Sequence, residues 1–324
     1  MNRKRLDLRD SIGILLFIGI FVFFSIASGG KTFTPFNLQV LVEQSMVAII
    51  VGCGVIFVVA QGSIDLSVGV NLALSGVVSL GITLAVGIPW LLFPIALLVG
   101  LGVGLFNGVV VSKFKVPSFM VTISLLIALR GVVNYIQTVI DMQPLPPSLV
   151  GLNQTHLKFI AFLIIVAIMV YLFEFTKLGK YSRAIGENEA TARESGVPIV
   201  KMKMVAFALS GLMAGVGSLF IMISLGGTNT TMGVFFEMDV MTAIYLGGVL
   251  VTGGTSAKIY KVFLGSFTVR TLKNGLALIG MSTPQMNVIT QGLVLVGILI
   301  VTVLVHKRYR ETSGDMGEKL ETAE

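Results

Sequence analysis

Long apolar runs separated by short polar connections make up most of this chain. A bilayer core about 30 Å thick needs about 20 apolar residues to be crossed as a helix. Ten runs approach that length: residues 11–28, 45–61, 66–87, 90–111, 117–138, 158–176, 203–225, 239–253, 262–281 and 286–306. The pattern predicts an all-α polytopic membrane protein of about ten transmembrane helices. Met46–Ala60 and Asp239–Gly253 are short, and the second carries Gly247 and Gly248. A short, glycine-interrupted run is either a broken helix beside a transport path or a tilted, partly buried one, and both readings stand. Gly100, Gly104 and Gly108 repeat at G-x-x-x-G spacing, as do Gly211 and Gly215. Such stripes let helices approach closely in lipid and predict packing rather than chemistry.

Composition agrees. Of 324 residues, 55% are hydrophobic and only 12% charged, half the charge a soluble domain carries. A soluble enzyme, a disordered chain and a nucleic-acid-binding module are disfavoured. The net charge of +7 sets orientation instead, because Lys and Arg collect on the cytoplasmic side of short loops. With the N-terminus inside, most cations fall on that side, including Lys113, Lys115, Lys177, Lys180, Arg183, Arg193, Lys201, Lys203 and Lys307. Both termini are then cytoplasmic: residues 1–10, a transmembrane domain over 11–306, and a tail over 307–324. The first run is too long, and lacks the cleavage site, for an ordinary signal peptide, so it reads as a retained anchor.

The longest polar stretch between runs, residues 176–203, predicts one short helix flat on the cytoplasmic face. Asn188 supplies its N-cap, and Gly196 with Pro198 stops it. So short a helix needs something to pack on, which favours a docking element over a solvated loop. Its candidate residues are Glu187, Asn188, Glu189, Ala190, Arg193, Ser195 and Gly196. A second polar feature, Gly62–Gly69, holds Asp65 between Gly62, Ser67 and Gly69. Asp65 near the membrane is best read as a helix cap accepting from the N–H of Ser67 or Val68. Third, Glu237 and Asp239 precede a short run, and Arg270, Lys273 and Asn274 share one face of a later one. With Asn107 and Asn134 they are candidates for a translocation path or a subunit interface, since charges inside spans face protein or water. Snorkelling of Arg270 is the plainer alternative.

Other motifs carry less. Ser25–Thr32 imitates a phosphate-binding loop, but Ser25 replaces its first glycine and a membrane run precedes it. Asn153 and Asn229 begin N-x-[ST] triplets. Cys53 is the single cysteine, and His156 and His306 lie far apart, so no metal site is predicted and no catalytic constellation is visible.

In sum, Gly62-x-Ile64-Asp65-Leu66-Ser67-Val68-Gly69 resembles the signature of ribose-type ABC importer permeases, in the branched-chain amino acid/ribose permease superfamily. Leu129-Arg130-Gly131, Gly179-Lys180-Tyr181, Gly186-x-Asn188-Glu189-Ala190, Ser210-Gly211-Leu212, Leu246-Gly247-Gly248, Gly253-Gly254 and Asn274-Gly275-Leu276 follow in the family's order. The resemblance covers roughly residues 36–306. It implies a cobalamin-importer-like (type II) ABC permease fold in a prokaryotic inner membrane. It also implies a second permease subunit, partner ATPase subunits that bind and hydrolyse ATP, and an external solute-binding protein delivering a sugar-like solute. The segment around 187–196 would be the coupling helix. Two departures stand out. The family continues Gly253-Gly254 with more glycine where this chain has Thr255–Lys261, and it has a neutral residue where this chain has Lys273. They leave homodimer and heterodimer both open, as does the solute: ribose, galactose, xylose, an autoinducer or a nucleoside. An ion-coupled secondary transporter is the alternative; it would need no ATPase dock.

Overall fold

A computed structural model describes residues 8–139 and 144–292, with side chains from Gly13 onward. The described residues are helical and contain no strand, only an isolated bridge between Pro144 and Gly227. The elements are α1 (Leu8–Ala27), α2 (Pro35–Ala60), α3 (Val68–Val86), α4 (Leu92–Lys113), α5 (Ser118–Val139), α6 (Pro147–Val150), α7 (Thr155–Val170), α8 (Lys177–Glu187), α9 (Glu189–Glu194), α10 (Ile199–Leu225), α11 (Phe236–Leu246) and α12 (Ile259–Leu278). A π-helical turn, Tyr171–Phe175, extends α7. Residues 283–292 are also helical. The remainder of the run 286–306 and the tail 307–324 lie outside the described residues.

Among the described residues, six helices are long and apolar enough to cross a membrane: Pro35–Ala60, Val68–Val86, Pro89–Lys113, Ser118–Val139, Thr155–Phe175 and Ile199–Leu225. They divide into two kinds. The first and last have 78% and 72% of their apolar window buried, whereas Ser118–Val139 has 17%. So α2 and α10 form the centre and α5 lies at the rim. This explains why α2 lacks an apolar stripe: a helix surrounded by protein is apolar all round. Its buried length, from Ser45 to Ala60, matches the expected run 45–61, but the helix begins ten residues earlier, at Pro35. Pro at the first helical position suits the fixed φ, and the polar Asn37, Gln39 and Glu43 of its first turns face other polar groups rather than lipid.

The glycine stripes sit where α4 crosses α10. A Cβ built on Gly104 would lie 2.3 Å from the Phe207 carbonyl oxygen, and one on Gly211 2.3 Å from that of Gly100. Backbone thus touches backbone over two turns, which no larger side chain permits.

The eighth expected span, 239–253, is not a spanning helix. α11 has 11 residues, about 16 Å at 1.5 Å per residue, half a bilayer core. Irregular backbone brackets it: Phe235 has φ 59° before it, and Gly248 (φ 94°) and Gly253 (φ 74°) follow. α12 then returns antiparallel to it, so close that a Cβ on Gly265 would meet the Ala243 carbonyl oxygen.

A second difference concerns residues 176–203. The sequence predicts one short helix there, and the structure has two. α8 precedes α9, with Thr176 as its N-cap accepting from the Leu178 N–H at 3.2 Å. The signal was present: Leu178, Tyr181, Ile185 recur at helical spacing in an otherwise polar segment.

Candidate functional site

Three groups of the predicted residues resolve into three separate arrangements. The first is the polar turn after α2. Gly62 adopts φ 70°, reversing the chain where an L side chain would be strained. Asp65, 2% exposed, accepts from the Ser67 N–H at 3.1 Å and the Ser67 hydroxyl at 2.7 Å. α3 itself starts at Val68, two residues later than the expected start at Leu66. The other carboxylate oxygen accepts from the Ser210 hydroxyl of α10 at 2.7 Å, and Asn107 of α4 donates to the Ser67 hydroxyl at 2.7 Å. The carboxylate therefore ties the turn to both central partners of the α4–α10 crossing. Hydrogen bonds to a charged group contribute about 1.5–3 kcal/mol each. Ser210 went unrecognised as its partner because a serine in a long apolar run gives no hint of what it faces.

The second arrangement surrounds the N-terminus of α11. Gly69 packs against this segment so tightly that a Cβ on it would lie 2.0 Å from a Glu237 carboxylate oxygen. Arg130 of α5 donates to the Met232 and Gly233 carbonyls at 3.1 and 2.9 Å, fixing the irregular chain before α11. One turn on, Asp239 takes the Lys273 ammonium at 2.5 Å and the Arg270 guanidinium at 3.5 Å. Lys273 also donates to Asn287 at 2.9 Å. The expected basic face of α12 is thus split. Arg270 and Lys273 converge on Asp239, but Asn274, about 100° further round the helix, exchanges hydrogen bonds of 3.0 and 2.8 Å with Asn37 of α2. Asn134 belongs to neither set and is exposed on α5.

The third arrangement is α8–α9. Asn188 accepts from the Thr191 N–H at 3.0 Å, capping α9. Gly196 (φ 81°) closes the other end, where the Val197 N–H reaches the Ala192 carbonyl at 3.0 Å, a glycine-dependent helix stop. Ala192 and Val197 pack with Ile185, Ile199 and Met202 in a small apolar cluster of their own. The helix that seemed to need a partner is therefore supported by its own chain. Ala190, Thr191, Arg193, Glu194 and Ser195 remain exposed on its outer side. Glu189 bridges Lys203 at 2.7 Å and Arg193 at 3.1 Å; the hydrogen bond from Lys203 holds its carboxyl below the usual range.

α8–α9 is also fastened to the α11–α12 connection. Glu187 accepts from both the hydroxyl and the N–H of Thr255, each at 2.6 Å. These bonds hold its carboxyl below the ordinary value, the hydroxyl contributing most. Glu174 pairs with Arg183 at 3.0 Å and accepts from the Ile259 N–H at 3.1 Å. Gly186 lets α8 lie against the Ala60 carbonyl and the Gly254 N–H. The segment Thr255–Lys261, noted above only as a departure, is thus a direct contact of α8–α9. No spacing rule pairs positions 187 and 255, so sequence reading missed it. Among the described residues no group of three His, Cys, Asp or Glu side chains could hold a metal ion.

The profile of the family described as "Branched-chain amino acid transport system / permease component" matches residues 37–302. The ribose import permease protein RbsC of Escherichia coli K12 is 31% identical over 286 residues, covering 83% of this chain and 86% of that protein. That of Bacillus subtilis is 28% identical over 298 residues, 88% of this chain and 91% of its own. The fructose import permease protein FrcC of Rhizobium meliloti is 26% identical over 307 residues, 88% and 83% respectively. No solved structure matches the chain significantly. With residues 37–302 matched by the family profile and 86% of a 31%-identical relative covered, this multi-pass membrane chain belongs to the branched-chain amino acid transport system permease-component family.

Proposed function

We propose that this chain is the permease subunit of an ATP-driven importer for a sugar or sugar-like solute, working beside a second permease subunit. Relatives named as ribose and fructose import permeases support the solute class. The reading includes ten crossings in a type II permease fold, the eighth made by half-length α11 together with the irregular backbone around it, both termini cytoplasmic, in a prokaryotic inner membrane. An external binding protein would deliver the solute, and partner ATPase subunits would hydrolyse ATP.

One observation carries the coupling role: α9 is capped at both ends, supported from within and exposed outward, and the adjoining α8 is latched through Glu187 to the α11–α12 connection. A partner pressing on its outer side would move α8–α9 as one piece, since Ile185 of α8 and Ala192 of α9 share one apolar cluster. That displacement would reach Thr255 and Ile259, at the base of α12, through Glu187 and Glu174. The pair Arg270–Lys273 on α12, held by Asp239 of α11, would move with it. A secondary transporter would have no use for such a dock.

Purification of the assembled complex in mild detergent, followed by mass spectrometry, tests the reading. An ATPase chain and a solute-binding protein are expected to co-purify. In reconstituted complexes, Gly196→Val should depress solute-stimulated ATP hydrolysis while the protein still inserts. Normal coupled transport by that variant would refute the docking role.

A further inference from the structure

An open groove of about 770 Å³ lies between α4 and α10, beside the C-terminal end of α9. Its wall is almost wholly apolar, with Leu105, Met204 and Leu212 along its length, and Lys115, Arg193 and Lys201 gather at one end. None of its lining residues is acidic. From Ile199 to Leu212 the wall follows α10 for about 20 Å at 1.5 Å per residue. This is a little more than one leaflet of a core about 30 Å thick. The charged end coincides with the start of α10, a 27-residue helix whose N-cap is Pro198, with no side chain capping it. The first turn of a helix presents backbone N–H groups and the positive end of its dipole to anions. Lys115 reaches this end from a left-handed backbone conformation, φ 56°, beside the exposed Phe114. Arg193 shares its charge with Glu189, whereas Lys115 and Lys201 make no ion pair among the described residues.

We infer that this groove binds one anionic phospholipid, its acyl chain along α4 and α10 and its phosphate at the start of α10 between Lys115, Arg193 and Lys201. Charge complementarity selects this occupant. A zwitterionic lipid would bring a further cation to an end that already has three, and an apolar partner helix would leave those cations unanswered. The site adjoins α9, so the lipid would brace the cytoplasmic pair from the membrane side.

Native mass spectrometry of the purified permease complex, after nanodisc exchange with equimolar phosphatidylglycerol and phosphatidylcholine of identical chains, tests this. The expected result is one retained phosphatidylglycerol per permease chain. Lys115→Gln with Lys201→Gln should lower its relative occupancy about thirtyfold, the equivalent of roughly 1 kcal/mol per cation removed near a membrane surface. Lys177→Gln with Lys180→Gln removes two exposed cations outside the groove and should leave retention unchanged. Equal retention of both lipids, or an equal loss in the two double variants, would overturn the inference. So would capture of a protein chain rather than lipid by a photo-crosslinking residue placed at Leu105 in the assembled complex. Headgroup preference is read whichever way the chain is oriented, so failure here is distinct from failure of the transport reading.

Discussion

Replacing Asn188 by alanine removes the one side-chain hydrogen bond that caps the N-terminus of α9. α9 has six residues, far below the length at which a helix persists unaided. Its stability rests on Ala192 and Val197 in the small apolar cluster, the Glu189 bridge to Lys203, the Gly196 stop, and the Asn188 cap on the Thr191 N–H. Loss of an Asn cap costs about 1 kcal/mol, which is roughly a fivefold rise in the population with α9 opened. Local opening of this kind sets amide exchange rates. Hydrogen exchange on the detergent-extracted protein should therefore show Thr191 exchanging about fivefold faster in Asn188→Ala, with the α4–α10 crossing unaffected. Asn188→Asp keeps an acceptor at the cap and should exchange like the parent. Solute-stimulated ATPase activity of the assembled complex should follow the same order. Unchanged exchange at Thr191 in Asn188→Ala, or equal acceleration in Asn188→Asp, would refute the assignment of the cap as a determinant of α9.

Further expectations concern the other arrangements. Gly104→Val places its Cβ on the Phe207 carbonyl, and overpacking of this kind costs about 1–3 kcal/mol. Its melting temperature in detergent should fall clearly, whereas Gly102→Ala on the same helix, with open space around it, should melt like the parent. Lys273→Leu leaves Asp239 with the Arg270 contact at 3.5 Å; breaking a buried pair costs about 3–5 kcal/mol, and adding Asp239→Asn should restore part of the lost thermal stability. Glu187 and Glu189 have carboxyls held below the ordinary 4.5. A depressed folded value means stability that is complete above the unfolded value and is lost as pH falls through the folded one. Exchange protection of α9, corrected for intrinsic rates, should be flat from pH 7 to about 5 and decline below about 4.5, and less steeply in Glu187→Gln.

What could be read from the chain alone was local. α9 was legible because its cap, Asn188, and its stop, Gly196, act on backbone groups three or four residues away. The glycine stripes announced a close helix crossing because G-x-x-x-G is a one-helix pattern, but which helix each stripe meets was not written in it. α11 appeared as a short, glycine-interrupted run, and hydropathy alone extended it to a span; only the backbone turns at Gly248 and Gly253 cut it to half length. The remaining features depend on partners far apart in sequence. Asp65 meets Ser210, Asp239 meets Lys273, and Glu187 meets Thr255. Lys273 looked anomalous in isolation and is matched by a carboxylate one helix away. Periodicity and capping record what a residue does to its own helix. An ion pair or a buried hydroxyl bond records which helices became neighbours, and that was decided by packing α2 and α10 at the centre of the bundle.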